Sequence, residues 1–129
     1  MVKTNTEIRR KQREEVIQKL YEIDINDGVN DTEIQDPYVK TSVEGVLEHR
    51  DFIDRKIQDN LTNWNLSRLT YIDRAIIRFG TYELIYSQLP SEIIINEALV
   101  LTRKYSDEGN DKMVGFTNKV LDNIHHAVK

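Results

Sequence analysis

The sequence predicts an all-α fold, a compact single-domain bundle of about seven helices. Three observations carry this reading. Apolar residues recur every three or four positions along most of the chain. Only two prolines and five glycines interrupt that pattern. A length of 129 residues with 39% hydrophobic content is enough for one core and too little for two ordinary ones.

The elements follow in order. Thr4-Asn5-Thr6-Glu7 fits a capping box that opens a first helix running to about Asn26. Asp27-Gly28 and the polar stretch to Asp36 read as a loop. Asp36-Pro37 starts a second helix, a capping carboxylate followed by a proline where no amide donor is needed, with Val39, Val43, Val46 and Leu47 on one face. A break near His49-Arg50-Asp51 leads to a third helix carrying Phe52, Ile53, Ile57 and Leu61. Trp64 falls in the next connection, and Ser67 is expected to cap a short turn into a long helix, about Tyr71 to Gln88. There Ile72, Ala75, Ile76, Phe79, Tyr82 and Tyr86 share a wide face, with Ile77 and Leu84 off it, so this helix is predicted to be central. Pro90 stops it and Ser91 is expected to cap the next, which carries Ile94, Ala98, Leu101 and Tyr105. Ile93-Ile94-Ile95 has strand-like composition, but no partner strand is visible. A turn over residues 107–111 precedes the last helix, with Met113, Phe116, Val120, Leu121, Ile124 and Val128.

Composition narrows the function. No run of eighteen apolar residues exists and the N-terminus lacks a signal peptide's apolar core, so no membrane association and a cytoplasmic location are expected. The chain has no cysteine, which removes disulfides, thiolate zinc sites and cysteine nucleophiles together. An EF-hand reading of the acidic loop fails, because Ile23, Ile25 and Ile34 would fall on ligand positions. His125 and His126 point about 100° apart on a helix and His49 is remote in sequence, so no metal or other cofactor is expected. Asn96-Glu97 lies near apolar residues after a helix carrying Arg74 and Arg78, and a structural ion pair between these helices is the expectation. Nothing assembles a nucleophile, a base and an oxyanion site, so the chain is not read as an enzyme.

The net charge of −4 conceals a division: residues 1–19 balance at +3, while residues 22–36 carry six acids and no base. Cations gathered at one end suit a local polyanion contact. Arg9 and Arg13 share a helical stripe with Val16 and Leu20. An unpaired guanidinium is too costly to bury, so the first turns either project past the bundle or pair with carboxylates at its rim. A second stripe holds Arg10, Ile17, Tyr21 and Ile25, an apolar shoulder that is either core periphery or a protein-binding patch.

Four motifs in order then resemble the NusB family of transcription antitermination factors. They are the basic opening Arg9-Arg10-Lys11-Gln12-Arg13-Glu14 with Leu20-Tyr21, the run Ile72 to Leu84, Ile95-Asn96-Glu97-Ala98 after Leu89-Pro90, and Phe116 to Asp122. The resemblance spans essentially the whole chain. It implies a seven-helix fold without catalytic activity and binding to single-stranded boxA RNA of nascent ribosomal transcripts. It further implies a heterodimer with the small-subunit ribosomal protein acting as NusE, engaged with the RNA polymerase elongation complex; some members form homodimers. Carried over by position, Arg9, Arg10, Lys11, Arg13, Lys119 and Asp122 match the RNA-binding surface, and Tyr21, Ile25 and Asp73 the partner face. Four positions depart from the family pattern: Lys119 stands for a usual glycine, Thr117 for valine and Gly80 for alanine, while Asn60 replaces a tyrosine that helps contact RNA.

On this reading alanines at Arg10 and Arg13 weaken RNA binding and leave stability nearly unchanged. Lys112, Lys119 and His126, spaced by seven, extend the basic track. With roughly three to five phosphates neutralised, log affinity falls with log salt at about −2 to −3.5. The rival classes are a helical protein-binding adaptor without RNA contact and an accessory domain like those preceding rRNA cytosine methyltransferases, which requires a catalytic domain beyond Lys129.

Overall fold

The structure, a computed structural model, describes residues 2–30, 33–109 and 111–128. Among these are six α-helices and one 3-10 turn, with no strand. They are α1 (Asn5–Ile25), α2 (Pro37–Glu48), α3 (Arg50–Asp59), the turn Leu66–Arg68, α4 (Tyr71–Tyr86), α5 (Ser91–Tyr105) and α6 (Lys112–Ala127). The all-α expectation holds, with the seventh element reduced to a single turn. No described helix is long and apolar enough to cross a membrane.

Local chemistry sets most boundaries. The Thr4 hydroxyl accepts from the Glu7 amide at 3.1 Å, and the Asp36 carboxylate accepts from the Tyr38 and Val39 amides. A hydrogen bond from Gln12, helped by those amides and Arg9, holds Asp36 below its ordinary pKa against desolvation. Two capping expectations need correction. Ser67 does not cap the short turn but lies inside it, with Asn65 at the capping position and no side-chain cap, while Thr70 caps α4 through the Asp73 amide. Ser91 is the first residue of α5 and makes no side-chain cap, since Pro90 holds the capping position. The Ile93-Ile94-Ile95 run is helical, its β-branched composition overridden by packing of Ile94 into the core. The loop expected between Asp27 and Asp36 includes residues 31 and 32, and the turn after α5 includes residue 110, which lie outside the described residues.

The central position of α4 is the organising feature. It packs against each of the other five helices, which explains why Ile77, off its main apolar face, is as fully buried as Ile76. Where α4 meets α6, a β-carbon at Gly80 would lie 3.1 Å from Leu121 Cδ1 and 3.2 Å from Cδ2. The glycine costs about 1 kcal/mol of helix propensity, and close helix approach is what it gains. We expect Gly80→Val to destabilise the fold by about 1–3 kcal/mol, as overpacked cores do, read as a lowered urea midpoint. An unchanged midpoint would show that Leu121 moves aside freely.

Candidate nucleic-acid interface

The N-terminal turns of α1 lie beside the start of α2, the end of α4 and the first half of α5, and their cations meet three different fates. Arg13 is buried, only 3% exposed. Its guanidinium forms a two-pronged pair with Glu83 of α4, Nη1 to Oε1 and Nη2 to Oε2 (2.9 Å for the second), beside the Phe79 ring. Burial pushes the Glu83 carboxyl above its ordinary value, while Arg13 pulls it back.

Arg10 forks onto Glu97 of α5, Nε to Oε1 and Nη2 to Oε2 both at 3.1 Å. Here the carboxylate is the covered partner at 15% exposure and the guanidinium the exposed one at 51%. The hydrogen bond and charge of Glu97 hold Arg10 above its ordinary pKa. Lys104, one α5 stripe further on, caps Glu14 in the same way, with the lysine outside. Burial raises Glu14, but the Lys104 hydrogen bond and charge outweigh it and bring the carboxyl below its usual range.

Arg9 is exposed and lies 3.7 Å from the centroid of the Tyr38 ring, and Lys11 is also exposed. Between α1 and α5 runs a cleft of about 340 Å3, floored by Val100 and Leu101 and rimmed by Lys3, Arg10, Lys11 and Lys104. Cations facing outward over largely covered carboxylates, around an apolar floor, can donate to phosphate oxygens at the rim and leave room for a flat ring within.

The other predicted basic residues lie elsewhere. Lys119 and Asp122 are exposed on α6, where Asp122 sits 3.7 Å from His126. Lys119 lines a groove with Asn60, Trp64 and Phe116, distinct from the cleft lined by Arg10 and Lys11. At the far end of α1, Tyr21 (38% exposed) and Ile25 (50% exposed) form an apolar surface with Tyr71, which meets Tyr21 edge-on at 6.4 Å. Asp73 is different, being only 5% exposed, with Oδ2 accepting from the Thr70 hydroxyl at 2.7 Å.

A model of the NusB family matches residues 5–126. The chain belongs to the NusB family. The transcription antitermination protein NusB of Bacillus subtilis strain 168 is 41% identical over 130 residues, covering 94% of this chain and 97% of that protein. Its counterpart from Clostridium botulinum is 42% identical over 105 residues, 81% of this chain and 72% of that one. Among solved structures, NusB of Thermotoga maritima superposes with a TM-score of 0.80 at 28% identity, covering 97% of this chain and 93% of that one. A crystal structure of antitermination factors NusB and NusE with double-stranded RNA has a TM-score of 0.75 at 27% identity, covering 92% and 96%.

Within this NusB fold several expectations change. Arg13 is buried and paired with Glu83 at the inner edge of the cleft, so its alanine replacement is expected to cost stability as well, against the sequence-based expectation that it leaves stability nearly unchanged. Glu97 pairs with Arg10 and not with α4. Arg74 and Arg78 instead share Asp24 at 3.0 and 3.2 Å, and Arg78 also forks onto Asp54. The α5 register decides this, since it turns Glu97 toward α1. Asp73 serves the start of α4 from a buried position, so Asp73→Arg would disturb the fold before any partner contact.

Sequence reasoning missed Lys104, Glu14 and Tyr38. The seven-residue step from Glu97 to Lys104 was a usable signal for one α5 face, whereas the Arg9–Tyr38 contact joins two helices whose packing angle no local pattern gives.

Proposed function

We propose that this NusB-family chain binds boxA-type single-stranded RNA of nascent ribosomal transcripts as a heterodimer with the small-subunit ribosomal protein acting as NusE, and so supports processive elongation by RNA polymerase. The observation that carries the reading is the outward-facing cationic rim of Lys3, Arg10, Lys11 and Lys104 around an apolar floor, with the exposed Arg9 beside it over Tyr38. The similar structure of antitermination factors NusB and NusE with double-stranded RNA supports it. So does the exposed Tyr21–Ile25–Tyr71 surface at the opposite end of α1, which suits a protein partner without covering the cations.

The rim is short and the chain is acidic overall, so RNA affinity of the chain alone is weak. A partner adding its own basic surface makes the second contact intramolecular and raises affinity without new chemistry. With Arg13 internal, roughly three or four phosphates remain to be neutralised, giving a slope of log affinity against log salt of about −2 to −3.

The test is an anisotropy titration of boxA-like RNA against a scrambled control, with and without the ribosomal partner. We expect the partner to tighten binding of the boxA-like strand selectively. Replacing Arg9 and Lys11 together with alanine is expected to weaken RNA binding about tenfold or more at low salt and to flatten the slope by about 1.4, at about 0.7 per lost phosphate contact. Melting temperature stays close to that of the unmodified protein, because both side chains are exposed. A negligible, salt-independent response would instead favour a protein-binding adaptor, and equal binding of scrambled RNA would overturn the boxA preference.

A further inference from the structure

Tyr71 is the first residue of α4 and 44% exposed, a position where a ring has several rotamers open to it. Arg74, one turn further along, narrows that choice. Side chains three residues apart share a helix face, and the Arg74 guanidinium lies 4.4 Å from the Tyr71 ring centroid. The guanidinium is itself held from α1, its Nε donating to Asp24 Oδ2 at 3.0 Å in a largely covered ion pair. Asp24 falls between Tyr21 and Ile25, the exposed pair at the end of α1. Because Tyr21 meets Tyr71 edge-on, the contacts Tyr21–Tyr71–Arg74–Asp24 leave α1 and return to it within one turn.

Arg78 shows what a purely structural arginine looks like beside it. It donates to the same Asp24 oxygen at 3.2 Å and forks onto Asp54 at 2.8 and 2.9 Å, so its guanidinium is committed to two carboxylates. Arg74 divides its own between a carboxylate at the edge and a ring at the face. A planar guanidinium can do both at once, which a compact ammonium cannot. The consequence concerns binding. An exposed tyrosine that a partner must cover loses rotamer freedom on association, and affinity suffers unless the ring already points the right way.

We infer that Arg74 is a positioning residue of the partner face: held by Asp24, it sets the Tyr71 ring, and through that ring Tyr21, in the direction the ribosomal partner meets. The inference rests on the heterodimer reading above and deepens it. It gives Arg74 a task beyond the ion pair that the sequence pattern suggests.

The experiment is a calorimetric titration of the full chain with the ribosomal partner, beside a thermal melt of each variant. Arg74→Met keeps the side-chain volume and leaves Asp24 paired with Arg78; the heterodimer is expected to weaken about three- to tenfold, the scale of ordering one ring on binding. Arg74→Lys keeps the charge opposite Asp24 but not the flat face over the ring, so an intermediate loss is expected with little change in melting temperature. Arg78→Met leaves Asp24 with Arg74 and Asp54 with Arg50, and is expected to lower the melting temperature while heterodimer affinity stays within about twofold. In a Tyr71→Ala chain, already weakened, Arg74→Met is expected to add less than about twofold, because Arg74 acts through that ring. Unchanged affinity in the folded Arg74→Met and Arg74→Lys chains overturns the inference and leaves the Tyr21–Ile25 face standing. An equal loss from Arg78→Met, or a full Arg74→Met loss on top of Tyr71→Ala, overturns it likewise. No heat of binding from the unmodified chain overturns the partner reading itself and this inference with it.

Discussion

Arg13→Ala is expected to destabilise the protein by about 3–5 kcal/mol, the scale of leaving one member of a buried ion pair without its partner. For a chain of this length that corresponds to a fall in melting temperature of roughly 10–20 °C. The cause is Glu83: without Arg13 this buried carboxylate loses its hydrogen-bonded counter-charge and keeps only the weaker influence of Arg9. The deficit depends on pH in a definite direction. The folded-state pKa of Glu83 is raised by burial even in the intact pair and rises further when Arg13 is removed. A raised carboxyl contributes stability that is complete below its ordinary value of 4.5 and is lost as pH rises through the folded-state value. The variant's deficit is therefore small near the acid end of this window and grows toward neutrality. Arg13→Met with Glu83→Leu should recover much of the loss, because an apolar pair of similar volume needs no charge compensation. Thermal melts of the two variants across that range decide the matter. A folded Arg13→Ala protein with unchanged melting temperature and lost RNA binding would return Arg13 to the RNA surface.

Tyr21→Asp is expected to weaken the heterodimer by at least about thirtyfold, equivalent to the roughly 2 kcal/mol that a central aromatic contributes at an interface. Tyr21 pairs edge-on with Tyr71 and borders a groove of about 310 Å3 with Gln18, Ile72 and Tyr105. A carboxylate there would be desolvated by any apolar partner surface, while in the free chain it remains in water. Calorimetric titration with the ribosomal partner should thus lose its heat of binding while the melting temperature changes little. Weak RNA contact of the chain alone should persist, since the α1 cations lie at the opposite end of the helix. Undiminished heterodimer affinity would remove Tyr21 from the partner face.

The two variants differ because residues on one helix do different work. In sequence, Arg10 and Arg13 belong to a single basic run; in the structure one is half exposed over Glu97 and the other is sealed against Glu83. Exposure of Tyr21 and Ile25 was equally undecided, since their stripe suits a core edge or a docking face, and both remain outside the core.

Hydrophobic periodicity and capping chemistry are local, so the sequence alone determined the helices, the Thr4 and Asp36 starts and the central place of α4. It even showed a misfit, Arg13 on the Val16–Leu20 stripe, though not its partner Glu83 on α4. That these two neutralise each other across 70 residues, and that Trp64 and Lys119 share a groove, were decided only by tertiary packing. The reason is physical: periodicity fixes which way a side chain points from its own helix axis, whereas ion pairing and groove formation depend on the distance and rotation between axes. Those are set only when all the helices close on α4.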